Sequence, residues 1–484
     1  LNKPLNATDT VLNSLPPDWG EEIDDQSTHL FQGIGVTTKK AKDDADINSI
    51  DVEKPTTSGA AKEGEESYLP SGILNDQEDD NSDIFEDEDF SLDSDDEDDR
   101  ASTSSGISSV SRASISSSSS SDSTSSSSSD ESTSGTEIAS AINEILETPI
   151  WLAELQKIDF ENELELEDFL TICKEILQQE LSTKSYNTFP SFIRFHEEYS
   201  RSIDTSFVKF LTSFKAKLYH DGLSCVGLAI SLHNLFILRF PTHAASIGLV
   251  SCEEVVKDPD NYCIYSPSAK KEHCLVAVKI ALGSRLGTVL FDPGYHVNKP
   301  IIVMEDGLSP HTGWFVQNPS PSNLKEYNYS AVDNDSGLVT WTVRETKPNR
   351  VKEYVNLIYV RRSFAKSIEI TEKRSHIYNF KSLVIRSRDE VIAGLFGSID
   401  NNMVTIFYPD SETGERKQIK LSLDDIDEPN FRSTISKLAI YIRGMSHRAA
   451  IHHLIRMLRS YSRILEDSTF INQLKEVDFL LEED

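Results

Sequence analysis

The sequence predicts an α+β chain of more than one domain. Composition breaks sharply near residue 136, and apolar residues recur at helical spacing from Ile138 to Leu238. Short alternating runs follow from Ala244 to Tyr408, before one last helical stretch. A length of 484 residues suits two or three domains. The boundaries read as a disordered acidic and serine-rich tail over 1–136, a helical subdomain over 137–240, a strand-rich subdomain over 241–385 and an α/β part over 386–484.

The tail carries most of the charge. Of the net −33, residues 1–140 hold −25, from 33 acidic against 8 basic side chains. Asp76 to Asp99 is an acidic run broken by Ile84, Phe85, Phe90 and Leu92; Ser102 to Ser134 is a serine tract. Such a segment cannot bury enough apolar surface to offset the entropy of ordering itself. Its plain reading is a solvated, self-repelling tail. Its functional reading is a regulated docking tail for a protein partner, because Ser82, Ser91 and Ser94 lie just before carboxylates that an acid-directed kinase could read. The remaining −8 is ordinary, and a nucleic-acid ligand is not expected without a basic surface.

Order is expected from Glu137. Ile138, Ile142, Ile145 and Leu146 keep helical spacing, Phe160 to Glu180 does so again, and Pro190 to Tyr219 continues through Phe192, Phe195, Phe207, Phe210 and Phe214. The dense run Val226 to Leu238, stopped at Phe240-Pro241, favours a buried helix. Strands are predicted at Ala244–Val250, Cys274–Ala281, Thr288–Phe291 after a turn over Gly283–Gly287, Val339–Arg344, Tyr354–Arg361 and Leu383–Arg386. A hairpin joins Gly394–Ser398 to Met403–Tyr408 across Asp400-Asn401-Asn402, and a helix from Phe431 to about Leu465 closes the fold. That helix carries His447, Arg448, His452, His453, Arg456 and Arg459 as one basic face, read either as a solvated surface or as a docking site for the acidic tail.

Five cysteines, Cys173, Cys225, Cys252, Cys263 and Cys274, are too few and too irregular for a disulfide framework or a zinc site, so no metal is expected and a reducing compartment, cytoplasmic or nuclear, is the natural setting. No apolar run reaches membrane-spanning length, so no membrane is expected, and no signal peptide is visible. Residue 1 is Leu, which leaves any upstream targeting signal open.

The candidate chemistry lies between His220 and Tyr295. Cys225 opens the predicted helix, His273 opens a strand 48 positions later, and Asp292 ends the next strand 19 positions after that. A thiol becomes a good nucleophile at a helix N-terminus and beside an imidazolium. A histidine would serve as its base and a carboxylate would hold the ring's tautomer, the logic of a cysteine-protease-like triad. A His–Asp interval of 19 suits adjacent antiparallel strands joined by a hairpin. A cysteine on an apolar helix is also an ordinary core residue. His233, His243 and His296 are the rival histidines, though none opens a strand followed by a carboxylate.

The stretch Gly222-Leu-Ser-Cys225-Val-Gly-Leu-Ala-Ile-Ser-Leu-His-Asn234-Leu-Phe236, then His273-Cys-Leu-Val-Ala-Val, then Phe291-Asp292-Pro-Gly294-Tyr295, resembles the arylamine N-acetyltransferase family over roughly residues 150–440. The resemblance implies a helical bundle, an antiparallel β-barrel and an α/β lid. It implies acetyl transfer from acetyl-CoA to a small-molecule amine by a two-step exchange. Cys225 would be acylated, His273 would act as base and acid, Asp292 would orient it, and Pro293, Gly294 and Tyr295 would form the loop accommodating the CoA pyrophosphate. The chain departs from that pattern at Asp221, where the family has an arginine, and at Gly227, where it has a glutamate. Three functions stay open on sequence alone: an acyl-CoA:amine acyltransferase, a thiol hydrolase or transglutaminase-like enzyme, and a non-catalytic interaction protein on the same scaffold.

Overall fold

The computed structural model describes residues 145–203, 206–259, 262, 271–319, 324–332 and 337–483. The acidic and serine-rich segments, Cys263, and Ile138 and Ile142 of the first expected helix lie outside the described residues.

The chain builds a mixed α/β fold around two antiparallel sheets. It begins with β1 (Trp151–Glu154) and β2 (Ile158–Phe160), then α1 (Glu163–Thr183). The helical pattern from Phe160 predicted a helix there, but Ile158–Phe160 runs parallel to the end of a longer strand instead. Helix α1 starts only where Asn162 accepts from the N–H groups of Leu164 and Glu165, both at 3.1 Å. After β3 (Tyr186–Asn187) come α2 (Phe189–Arg201) and α3 (Phe207–Ser213), so the run expected from Pro190 to Tyr219 is two helices. Helix α4 (Cys225–Arg239) follows.

The larger sheet contains β4 (Ile247–Glu253), β5 (His273–Leu282), β6 (Arg285–Phe291), β7 (Ile301–Met304), β8 (Phe315–Pro319), β9 (Leu324–Ala331), β10 (Leu338–Lys347) and β11 (Arg350–Tyr359). Its order is β7-β6-β5-β4-β11-β10-β9-β8, with β2 on β5 beyond the point where β4 ends. The sheet curls so that β7 approaches β9, giving a half-barrel where an antiparallel β-barrel was expected. Strand β5 is buried on both faces apart from Lys279, which is why it reads as an almost continuous apolar run. Leu275 and Ala277 enter the sheet's concave core with Tyr327, Tyr329 and Trp341, while α4 lies against β5 and β4. Leu282 pairs with Arg285, so the β5–β6 connection is the two-residue loop Gly283-Ser284, shorter than the predicted Gly283–Gly287 turn. Gly283 takes φ +59° there, a conformation glycine adopts without strain.

A short β12 (Arg362–Phe364) pairs with β1, and one π-helical turn, Ile368–Glu372, leads into α5 (Lys373–Ile377). The second sheet has the order β16-β15-β14-β13-β3, from β13 (Phe380–Arg386), β14 (Val391–Ser398), β15 (Met403–Pro409) and β16 (Arg416–Ser422). Strands β14 and β15 form the expected hairpin, with Gly397 paired to Val404. The single closing helix expected from Phe431 is α6 (Pro429–Ala439) and α7 (His447–Glu466), separated by a connection in which Gly444 has φ +75°. Helix α8 (Ser468–Glu483) was not predicted. These helices share one core with α2, α3 and β13–β15; Phe192, Phe195, Ile406, Leu454, Leu458 and Phe470 lie in it.

The two-residue strand β3 joins both halves. Asn187 pairs with Leu383 of the second sheet, and its N–H donates to Leu223 O at 2.8 Å. The segment leading into Cys225 is thereby fixed to the second sheet. Among the described residues no helix is long and apolar enough to cross a membrane.

Candidate active site

Cys225 is the first residue of α4. The hydroxyl of Ser224, the N-cap, accepts from Val226 N–H at 3.1 Å. The sulfur-bearing side chain therefore stands at the positive end of the helix dipole. It keeps 8 % exposure, whereas Cys173, Cys252 and Cys274 have none.

His273 is the first residue of β5 and Asp292 follows the last residue of β6. The β5–β6 register pairs Val276 with Phe291; three residues further along it, Gly294 would stand opposite His273. The ring's Nε2 lies 2.9 Å from Asp292 Oδ2, and Asp292 Oδ1 accepts from Tyr295 N–H at 3.0 Å. Both carboxylate oxygens are thus occupied, in a group with no exposure. Nε2 is engaged by Asp292, which leaves Nδ1 as the ring nitrogen available to the neighbouring Cys225 side chain.

Burial works to strip the His273 ring of its second proton. The Asp292 charge and hydrogen bond, with help from Cys225, outweigh that and hold its pKa well above the ordinary imidazole value. A charged ring between a carboxylate and a thiol is the electrostatic arrangement a thiolate nucleophile requires.

Gly294 measures how closely the three groups meet. A Cβ there would lie 2.8 Å from His273 Cε1, 2.9 Å from Cys225 Cβ and 3.3 Å from Asp292 Oδ1. Cys225, His273 and Asp292 therefore each have an atom close to Gly294, whose lack of a side chain leaves room between them.

The polar atoms of Pro293, Gly294 and Tyr295 bear on the loop expected to accommodate a pyrophosphate. The three residues are buried. The Tyr295 N–H is donated to Asp292, its hydroxyl donates to Glu254 Oε1 at 2.6 Å, and the Pro293 carbonyl accepts from Arg386 Nη1. The Tyr295 ring stands edge-on to His273, with centroids 4.8 Å apart, and to Trp341 at 4.9 Å. The Tyr295 N–H is consequently not free for a phosphate; here it holds Asp292 in place.

Sequence reasoning missed the groups that support this turn. Arg386, at the end of β13, is fully buried, and its Nη2 also donates to Lys184 O at 3.1 Å. Burial lowers its pKa to about 10, leaving it charged at neutral pH. The rival His296 lies near this guanidinium; burial and that charge push its pKa to about 3, so it is a neutral buried ring. His233 is buried two turns along α4, and burial lowers its pKa also. Half-buried Tyr186, on β3, has its phenol pushed well up by loss of solvation and by the neighbouring Cys225, so the hydroxyl keeps its proton.

Glu372 was also missed. It ends the π-helical turn, is 1 % exposed, and its Oε2 hydrogen-bonds the Ser224 hydroxyl, while Oε1 has no partner. Burial raises its pKa to about 7. A folded-state value above the ordinary one stabilises fully below the unfolded pKa, and the contribution is lost as pH rises through about 7. Glu372→Gln cannot titrate. Relative to wild type, it should gain about 2–3 kcal/mol between pH 5 and pH 8, read from urea unfolding at both values. An unchanged difference would mean that Glu372 ionises freely where it stands.

Among the described residues no group of His, Cys, Asp and Glu is placed to hold a metal ion. No protein-family model matches the chain, and no curated protein matches it. Among solved structures, the chain is similar to the crystal structure of an arylamine N-acetyltransferase from Nocardia farcinica. The identity is 12 %, the match covers 60 % of this chain and 89 % of that one, and the TM-score is 0.31.

Proposed function

We propose that the chain is a thiol-dependent acyltransferase that carries an acyl group on Cys225 from an acyl thioester such as acetyl-CoA to a small-molecule amine. The observation that supports it is the meeting of Cys225, His273 and Asp292 at the space left by Gly294. The Cys225 sulfur, as thiolate, attacks the acyl carbonyl carbon. The carbon–sulfur bond of the donor breaks, and the departing thiolate takes the proton from His273. The amine then attacks the Cys225 thioester and loses a proton to His273, and the amide leaves as the carbon–Sγ bond breaks. Asp292 keeps its hydrogen bond to Nε2 throughout and balances the imidazolium. The positive end of α4 stabilises the oxyanion of each tetrahedral intermediate.

The test uses the full chain. Incubation with acetyl-CoA should give an acetyl-sized mass increase on the Cys225 peptide, absent in Cys225→Ala. Brief iodoacetamide treatment of the native chain below neutral pH should label Cys225 and spare Cys173, Cys252 and Cys274, which are fully buried; burial pushes all three of those thiols well up. No adduct from any acyl-CoA, together with a Cys225 thiol as inert as the other three, would leave a non-catalytic scaffold as the correct reading.

A further inference from the structure

Helix α7 carries a charged feature for which acyl transfer has no use. Its outer face lines an open groove of ≈ 670 Å³. His452, Arg456 and Arg463 are exposed, His453 and Arg459 are half-buried, and Ile455 supplies an apolar floor. Arg459 is shared with Asp427. Among the described residues Arg456 and Arg463 have no carboxylate within ion-pair distance. Burial and the neighbouring Arg456 hold His453 toward its neutral form, so the positive charge of the groove comes from the arginines.

We propose that this groove is the docking site for the acidic segment Asp76–Asp99 of the same chain. The segment holds 15 carboxylates and no basic residue among its 24 positions. Its Ile84, Phe85, Phe90 and Leu92 supply apolar side chains for a groove floored by Ile455. Arginine forks pair with carboxylates in two-point geometry, which suits Arg456 and Arg463 to Asp and Glu. The tether permits it. Ile145, where description of the chain resumes, lies in the same hydrophobic core as Leu454 and Leu458 of α7. The 45 residues between Asp99 and Ile145 can span up to about 150 Å, far more than the width of a domain. Tethering also supplies an effective concentration of about millimolar, which offsets a contact made through only a few guanidiniums. A nucleic acid would need a longer basic surface and has no counterpart to the interleaved Phe and Leu side chains.

The experiment uses the full chain carrying Arg456→Lys and Arg463→Lys, which keep the charge and introduce amines. Zero-length carbodiimide coupling at low salt should join those amines to carboxylates between Asp76 and Asp99, within one chain. Mixing isotopically light and heavy protein distinguishes links within a chain from links between copies. The links should disappear at high salt, where exposed pairs are screened. A second full-length variant, Arg456→Glu with Arg463→Glu, should be cut several-fold faster by a glutamate-specific protease within Asp76–Asp99. Links confined to mixed pairs would assign the groove to a second copy. Links only to other carboxylates, or equal cleavage rates in wild type and the charge-reversed variant, would overturn the proposal. Neither readout depends on Cys225, so its failure is separable from failure of the acyl-transfer reading.

Discussion

Asp292→Asn should lower acyl transfer by about two to four orders of magnitude while leaving the fold intact, the size of effect seen when a triad loses its orienting carboxylate. The two side chains have the same shape, so the buried turn can accommodate the change. The hydrogen bonds cannot all survive. Asp292 accepts from two donors, His273 Nε2 at 2.9 Å and Tyr295 N–H at 3.0 Å. An amide that keeps its oxygen toward Tyr295 turns its NH2 toward Nε2. The ring must then carry its proton on Nδ1, facing the sulfur, and cannot take one from it. Charge acts in the same direction. Burial alone favours the neutral His273 ring, and Asp292 is the main influence holding it charged. Without that carboxylate the folded-state pKa drops, and the stabilisation that wild type keeps as pH rises above the unfolded histidine value is lost at lower pH. The measurement is the alkylation rate of Cys225 against pH. Wild type should stay reactive below the range of ordinary thiols, and Asp292→Asn should lose that reactive acidic limb. Identical profiles would show that His273 and Asp292 do not act on the sulfur.

The parts of the site visible in the sequence are those whose signals are local. The long apolar run stopped at Phe240-Pro241 marks a buried helix, and Cys225 is its first residue. The alternation after His273, the glycine turn and the second apolar run mark a hairpin whose ends bring His273 and Asp292 together. What escaped notice is either short or contrary to ordinary burial. Strands β2 and β3 have three and two residues, below the length at which any period shows, yet β3 carries Tyr186 and anchors the segment before Cys225. Strand β9 buries Lys325, Tyr327 and Tyr329 on one face, and its alternation is hidden because Lys325 is apolar only in its stem and pairs with Glu345 at 2.7 Å. Glu372 and Arg386 are charged residues of types that normally lie outside, and Glu372 stands 148 positions from its partner Ser224. A further helix was missed after α7 because its boundary is a single capping residue, Asp467, whose side chain accepts from Phe470 N–H at 3.1 Å.

Gly294→Ala should suppress Cys225 acylation and low-pH alkylation by about a hundredfold or more, the loss that accompanies a misplacement of about 1 Å in a reacting pair. Gly294 does not have a left-handed φ, so the added methyl acts through contact alone. It would fall 2.8 Å from His273 Cε1 and 2.9 Å from Cys225 Cβ, both well inside ordinary contact. Neither neighbour yields easily. The imidazole is held through Nε2 by Asp292, which is itself held by Tyr295 N–H. The Cys225 Cβ is fixed to the first turn of a helix buried against β5 and β4. The turn cannot withdraw either, because Arg386 grips the carbonyl of Pro293. The methyl can be accommodated only by parting sulfur from ring, at a stability cost of about 1–3 kcal/mol typical of overpacking. Gly283→Ala separates geometry from folding. Gly283 has φ +59° and nothing within 4 Å of the added Cβ, so that variant should lose about 1 kcal/mol through backbone strain while its folded molecules alkylate at the wild-type rate. Rates are compared per folded molecule. If Gly294→Ala matched wild type by that measure, Cys225, His273 and Asp292 could not be working from the point where their atoms converge, and the acyl-transfer reading would lose its geometric basis.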